Sequence, residues 1–302
     1  MSQAVIQTHN LTVYYGAHRG VKDVDLAVQE GEVFGFLGPN GAGKTTTQRV
    51  LLDVIRPTSG RATIFGLDCQ EDGVEIRKRV GYLPGELALY KNMRARQFFK
   101  MYEYLRGNNG REGYWRELAQ RLDLDTGRKI GNFSRGNKQK VGVVAAFMSC
   151  PDVLILDEPT GGLDPLVQQT VLEMVREVRA DGRTVFFSSH ILSEVQAVCD
   201  RVGIIREGEL VTTERVEDLI RQRVNRMNLT FANLPPAGAF DFPGVIELGR
   251  TENMLTLEVQ ENLPQVLATA ADYDVQDIET HNISLEEVFL AYYGSENGDN
   301  HA

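Results

Sequence analysis

The stretch Gly38-Pro39-Asn40-Gly41-Ala42-Gly43-Lys44-Thr45-Thr46 constrains this chain more than any other. Before it, the apolar run Val33-Phe34-Gly35-Phe36-Leu37 reads as a buried strand. After it, Gln48 to Ile55, with Val50, Leu51, Val54 and Ile55 at helical spacing, reads as a helix. Between them, Gly38, Gly43, Lys44 and Thr45 stand in the spacing of a phosphate-binding loop. Glycines let successive backbone N–H groups converge on phosphate oxygens at a helix N-terminus, where the macrodipole favours negative charge. Lys44 adds a point charge, and the Thr45 hydroxyl is placed to ligate a Mg²⁺ bridging the outer phosphates. The stretch predicts a nucleotide site.

With 302 residues, 42% hydrophobic and 25% charged, the chain has the composition of a globular protein with one large domain and a smaller one. Met1-Ser2-Gln3-Ala4 does not begin a basic segment followed by an apolar one, so no secretory signal is expected. The longest apolar stretch, Val141 to Met148, is less than half a membrane span, and the chain is not expected to cross a bilayer by itself. Cys69, Cys150 and Cys199 lie far apart in no metal or redox spacing and read as free, partly buried thiols of a reducing cytosol. The net charge of -10 is unevenly placed: residues 213–302 hold 5 Lys and Arg against 16 Asp and Glu, residues 1–212 hold 27 against 26. That asymmetry marks a domain boundary. A neutral body with an acidic tail gives no electrostatic reason to bind nucleic acid or anionic lipid.

Residues 3–30 alternate around the loop Gly16-Ala17-His18-Arg19-Gly20 and predict antiparallel strands. Tyr15 ends the first of them, where an aromatic suits either stacking on a purine or plain packing. Short strands are expected at Ala62 to Phe65 and Val80 to Leu83, with polar, charged residues between. From 92 to 150 the pattern becomes helical, with Phe98, Met101, Tyr102 and Leu105 on one face and Trp115, Leu118 and Leu122 on another, the core of an all-α insert. Val153-Leu154-Ile155-Leu156 is an apolar run of the kind buried in parallel sheets, and it ends in Asp157-Glu158-Pro159. Ligands of open α/β sheets sit beyond the carboxyl ends of the strands, where these carboxylates fall. Successive strand side chains point to opposite faces, so Asp157 is expected in a Mg²⁺ shell and Glu158 at an attacking water. Asp164 and Pro165 read as the N-cap and first residue of a helix with Val167, Val171, Val175 and Val178 facing the core. The next strand, Thr184 to Phe187, leads through Ser188 and Ser189 to His190, within reach of the same crevice. Phe133-Ser134-Arg135-Gly136-Asn137-Lys138-Gln139-Lys140 precedes a further helix, with Ser134 as N-cap, and forms a second anion-facing helix end.

After two strands within 201–211 and a helix from Val216 to Gln222, strands are expected near 226–231, 244–248, 254–259 and 274–280, with a helix near 261–271. A last helix opens with Ser284 and Glu287 as a capping box and Ile283 and Val288 as a staple, and residues 295–302 read as a disordered tail.

Taken together, the loop at 38–46, the segment 133–139, Leu156-Asp157-Glu158, Gly162-Leu163-Asp164 and His190 resemble the ATP-binding subunits of ABC transporters, in order and spacing, over residues 3 to about 212. The resemblance implies an α/β fold: a P-loop ABC-type ATPase core (1–212) with an antiparallel β subdomain and a helical insert near 85–150, followed by a small α+β accessory domain at 213–294. It implies ATP and Mg²⁺, with Thr45 and Asp157 as metal ligands and Glu158, His190 and Lys44 as catalytic residues. Tyr15 would stack on adenine, and the loop residues Gly38 through Thr46, namely Pro39, Asn40, Gly41, Ala42, Gly43, Lys44 and Thr45 between them, would hold the phosphates. Ser134 and Gly136, with Asn137 beside them, would face the partner's γ-phosphate, and Asp164 would communicate across a head-to-tail dimer enclosing two ATP molecules.

This sequence departs from the family pattern at two places. Arg135 and Asn137 stand where the family signature has a glycine and a glutamine, and Gly85 stands where a metal-sensing glutamine is usual, with Glu86 or a water as its candidate substitute. Altered coupling or slower ATP hydrolysis is expected. Gly85-Glu86-Leu87 and the ending Ser284 to Leu290 look like the branch serving exporters of drugs, antibiotics or other amphiphiles, whose permease is a separate chain docking near 84–105. The chain would then work at the cytoplasmic face of the cell membrane. The alternative is a soluble ABC-type ATPase acting on nucleic acid, ribosomes or cofactor assembly, for which tandem ATPase units or a long coiled coil would be usual; neither is present in these 302 residues.

Overall fold

The computed structural model describes residues 4–106, 111–221, 225–259 and 261–281; the capping box at Ser284, the last helix and the tail at 295–302 lie outside them. The chain divides into two compact units, Met1–Glu214 and Arg215–Ala302.

In the first unit, the alternating N-terminal residues build an antiparallel sheet. Strand β1 (Ala4–Tyr15) pairs with β2 (His18–Gln29), and on its other side with β4 (Ser59–Ile64), which β5 (Leu67–Asp68) extends. The loop expected over residues 16–20 contracts to Gly16-Ala17, because Gly16 takes a φ of +62° and Tyr15 and Tyr14 pair directly with His18 and Arg19.

A six-stranded sheet in the order β10-β9-β3-β8-β7-β6 carries the site. It is made of β3 (Val33–Leu37), β6 (Val80–Leu83), β7 (Val153–Asp157), β8 (Thr184–Ser189), β9 (Arg201–Arg206) and β10 (Glu209–Arg215). Strands β3, β6, β7, β8 and β9 run parallel. Every residue of β3, β7 and β8 is buried, as parallel strands covered on both faces require. Leu37 pairs with Ser189 and Asp157 with Ser188, so three carboxyl ends lie level at one edge. The core between the two sheets joins Ile6, Leu11, Val24 and Ile64 to Phe34, Phe36, Ile155 and Phe186.

Helix α1 (Lys44–Leu51) starts on the phosphate loop and ends four residues earlier than its periodicity predicts. Asp53 adopts a left-handed φ of +54°, the N–H groups of Val54 and Ile55 both return to the Arg49 carbonyl, and Val54 is exposed rather than packed. The polar stretch before β6 contains a helix that its composition did not announce, α2 (Gly73–Arg79), with Ile76 alone among its large apolar residues fully buried. The insert holds α3 (Ala95–Leu105), α4 (Tyr114–Arg121) and α5 (Arg135–Phe147). Its aromatics pack on one another, Phe99 on Trp115 at 5.5 Å and Phe98 on Phe99 at 5.9 Å, whereas Leu105 at the end of α3 is exposed. Helices α6 (Pro165–Ala180) and α7 (Leu192–Val198) flank β8, with Val171, Val175, Val178 and Val195 buried and Val167 partly so. Among the described residues, no helix is long and apolar enough to cross a membrane.

The second unit begins with α8 (Val216–Arg221) and has a sheet in the order β12-β13-β11-β14, formed by β11 (Asn225–Phe231), β12 (Val245–Arg250), β13 (Met254–Val259) and β14 (Val275–His281). All its pairings are antiparallel. Alternate residues Met227, Leu229 and Phe231, and Leu255, Leu257 and Val259, point to one face, where α9 (Leu263–Asp272) covers them with Val266 and Ala270.

Candidate functional site

The phosphate loop is shaped by its glycines. A Cβ on Gly38 would fall 2.4 Å from the Ile205 carbonyl oxygen, and one on Gly43, at φ +109°, would fall 2.5 Å from the Val21 side chain, so both positions exclude any other residue. Gly41 has the left-handed φ (+82°) but open space where its Cβ would be, which leaves room for a ligand to approach the backbone. A pocket of about 240 Å³ is lined by Asn40, Gly41, Gly43, Lys44, Thr45 and Thr46, with Tyr15, Arg19, Gly20 and Glu158 around it.

Lys44 is buried at the start of α1, and its Nζ donates to the Gly38 and Pro39 carbonyls at 2.6 and 3.0 Å. Burial pushes its pKa below the ordinary lysine value, and the carboxylates of Glu158 and Asp157 work against that shift. Thr45 Oγ1 donates to Asp157 Oδ2 at 2.7 Å, and Ser188 Oγ donates to Asp157 Oδ1 at 2.6 Å. Both Asp157 oxygens are therefore fixed beside the loop.

Glu158 leaves the strand by a different route from the one expected. Its side chain is aimed by a left-handed φ of +49°, not by simple alternation along β7. One carboxylate oxygen, Oε1, lies 2.9 Å from His190 Nδ1 and 3.9 Å from Lys44 Nζ. Glu158 and His190 are 32% and 47% exposed, so water reaches both. Tyr15 is exposed at the rim, with its hydroxyl 3.4 Å from Thr46 Oγ1.

The pair Thr45 and Asp157 suits a nucleotide-bound Mg²⁺, offering two hard oxygen donors at the mouth of the phosphate loop. Among the described residues no group of three or more His, Cys, Asp and Glu could hold a metal ion. Gly85 comes close to the same carboxylate: a Cβ there would stand 2.9 Å from Asp157 Oδ2. Beside it lies a cavity of about 520 Å³ lined by Thr45, Arg49, Val54, Tyr82, Pro84, Gly85, Glu86, Asp157 and Glu158. Burial next to Asp157 pushes the Tyr82 phenol up to about 12.

Ser134 caps α5, its hydroxyl accepting from Asn137 N at 3.2 Å, and Asp164 caps α6, accepting from Val167 N at 3.1 Å. Ser134, Gly136, Asn137 and Asp164 do not line the pocket around the phosphate loop. Within one chain the loop, Asp157, Glu158 and His190 come together, while Ser134, Gly136, Asn137 and Asp164 add no side chain to that pocket. Sequence reasoning passed over Ser188, which was visible only as a polar residue between an apolar strand and His190.

Residues 21–161 match the ABC transporter family. The chain is 38% identical over 229 residues to the bacitracin transport ATP-binding protein BcrA of Bacillus licheniformis, spanning 75% of this chain and 74% of that protein. It is 36% identical over 219 residues to the ABC transporter ATP-binding protein NatA of Bacillus subtilis (strain 168), spanning 70% and 89%. It belongs to the ATP-binding proteins of ABC transporters. A solved ATP-binding subunit of an ABC transporter shares its fold with a TM-score of 0.66 at 29% identity, over 72% of this chain and 92% of that one. A dimeric ATP-binding cassette in a post-hydrolysis state with ADP and Pi superposes at a TM-score of 0.64 and 21% identity, over 70% and 98%, and so supports the fold. For this ABC ATPase the recognised α/β core and the drug-exporter branch resemblance hold. The linearmycin resistance ATP-binding protein LnrL of Bacillus subtilis (strain 168) is another relative, 34% identical over 221 residues, spanning 71% of this chain and 70% of that protein.

Proposed function

We propose that this chain hydrolyses MgATP as one subunit of a dimer and drives export of an antibiotic or similar amphiphile through a separate membrane permease. The reading of the chemistry rests on one observation, the approach of His190 and Lys44 to a single carboxylate oxygen of Glu158 beside the phosphate loop. The choice of export and substrate class is supported by the bacitracin and linearmycin relatives.

Phosphoryl transfer asks a protein chiefly to position groups and balance charge. The loop amides and the Lys44 ammonium take the β- and γ-phosphates, with Tyr15 stacking on adenine. Bound through Thr45 and Asp157, Mg²⁺ would neutralise charge on the phosphate oxygens. Glu158 accepts the proton of the attacking water as its oxygen bonds to γ-phosphorus and the bond to the bridging oxygen breaks, leaving ADP and phosphate. His190 holds Glu158 through its 2.9 Å contact and reaches the γ-phosphate. Ser134, Gly136 and Asn137 at the solvent-facing start of α5 close a second subunit's site, and Asp164 meets that subunit.

Replacing the base keeps the cradle and removes the proton acceptor. Glu158→Gln should lower kcat by roughly 10² to 10⁴ while ATP still binds. Undiminished hydrolysis by the purified variant would reject the assignment.

A further inference from the structure

Gln139, in the second turn of α5, is buried, and its carboxamide is spent on two backbone groups. Nε2 donates to the Glu158 carbonyl at 3.2 Å and to the Pro159 carbonyl at 3.1 Å. These acceptors belong to the segment that turns Glu158 out of β7 with its left-handed φ of +49°. Such a backbone is disfavoured for an L residue and persists where the surroundings over-determine it.

The surroundings here do so from several sides. Glu158 N–H donates to the Ser188 carbonyl, and Gly161 N–H donates to the Glu158 carbonyl, each at 3.1 Å. Two residues on, Thr160 Oγ1 donates to the buried Glu194 at 2.5 Å, and the other Glu194 oxygen accepts from Ser189 Oγ at 2.8 Å. Helix α5 also meets the same segment at its first turn, where a Cβ on Gly136 would stand 2.8 Å from the Gly162 carbonyl oxygen. Among these contacts, the Gln139 amide is the one that ties α5 to the carbonyl of Glu158 itself.

We infer that Gln139 is a positioning residue for hydrolysis: it locks the backbone of Glu158 so that the carboxylate faces its water, and it makes the aim of that carboxylate depend on the seat of α5. The inference rests on the reading of Glu158 as general base. The chemistry requires a donor at 139. Methionine has similar length and apolar bulk but leaves both carbonyls without the amide, and glutamate sets a carboxylate against two carbonyl oxygens.

The test uses the full-length chain, with steady-state ATP turnover, equilibrium ATP binding and thermal unfolding measured on Gln139→Met, Gln139→Glu and Glu158→Gln. Misplacing a reacting group by an ångström costs rate without costing substrate affinity, so Gln139→Met should lose about 10- to 100-fold in kcat with KM and ATP affinity within about twofold of the parent. Gln139→Glu should lose more. A loss of rate accompanied by an equal loss of ATP affinity and a collapsed thermal midpoint in both Gln139 variants would mark a general packing role and overturn the inference. Unchanged kcat in Gln139→Met, with Glu158→Gln inactive, would overturn it and leave the base in place. Active Glu158→Gln would remove the base and the inference together.

Discussion

Lys44 sits where two opposing demands meet. Its ammonium is buried and bonded to the carbonyls of its own loop, and desolvation lowers its pKa even with Glu158 and Asp157 nearby. A triphosphate brings negative charge to the same nitrogen and favours its charged form. The pKa of Lys44 is therefore lower in the free chain than in the complex, and between those two values the complex holds a proton that the free chain lacks. Across that alkaline window ATP binding should take up protons, and affinity should fall as pH rises. Calorimetry in buffers of different ionisation enthalpy reads this directly. Binding enthalpies that do not vary with buffer throughout the alkaline range would contradict it. The residue scale is also where the sequence was most transparent: the loop is contiguous, so its spacing alone placed Lys44 and Thr45. Asp157 and Glu158 were legible as carboxylates closing an apolar strand. The kink that aims Glu158 was not, because nothing local to Asp157-Glu158-Pro159 encodes a left-handed φ that Gln139 and Ser188 help to hold from distant positions.

Elements were legible where one physical signal acted alone. The apolar runs of β3 and β7 announced strands buried on both faces, and Asp164-Pro165 announced a helix start. Helix α1 was misjudged at its end because Val54 and Ile55 keep helical spacing while Asp53 breaks the backbone. Ser188 escaped notice because its bond to Asp157 exists only through the pairing of β7 with β8. The cap of α6 allows a clean separation of structure from function. Asp164 accepts from Val167 N, and Asp164→Ala should cost about 1 kcal/mol of stability. In a unit of this size each such kilocalorie lowers Tm by roughly 2–4 °C. Asp164→Asn keeps an accepting oxygen and should hold the parent Tm. If turnover falls in both variants while Tm falls in one, the side chain acts across the dimer as well as capping; equal Tm values in the two variants would dismiss the cap.

At the scale of the whole molecule, the two units are built on different principles. The first buries Phe34, Phe36 and Phe186 between an antiparallel and a mostly parallel sheet, and the second buries Met227, Leu229 and Leu257 under one helix. The core around the first unit's sheets draws on residues up to Ile205, with Leu210 packed against it, and the second core is formed by residues from Met227 onward. Residues 213–302 carry the whole acidic excess, 16 Asp and Glu against 5 Lys and Arg. Separate cores predict that a chain ending at Glu214 keeps its ATP site, because every residue assigned to that site precedes the cut. ATP affinity should stay within about twofold of the parent, the range in which mutational effects at independent sites usually leave one another. What the shortened chain should lose is dimer persistence. In the Glu158→Gln background, where ATP is held without turnover, sedimentation should show the full-length chain as an ATP-dependent dimer and the shortened one dissociating at higher concentration. A shortened chain that binds ATP and dimerises as strongly as its parent would mean that residues 215–302 serve something other than holding the pair together.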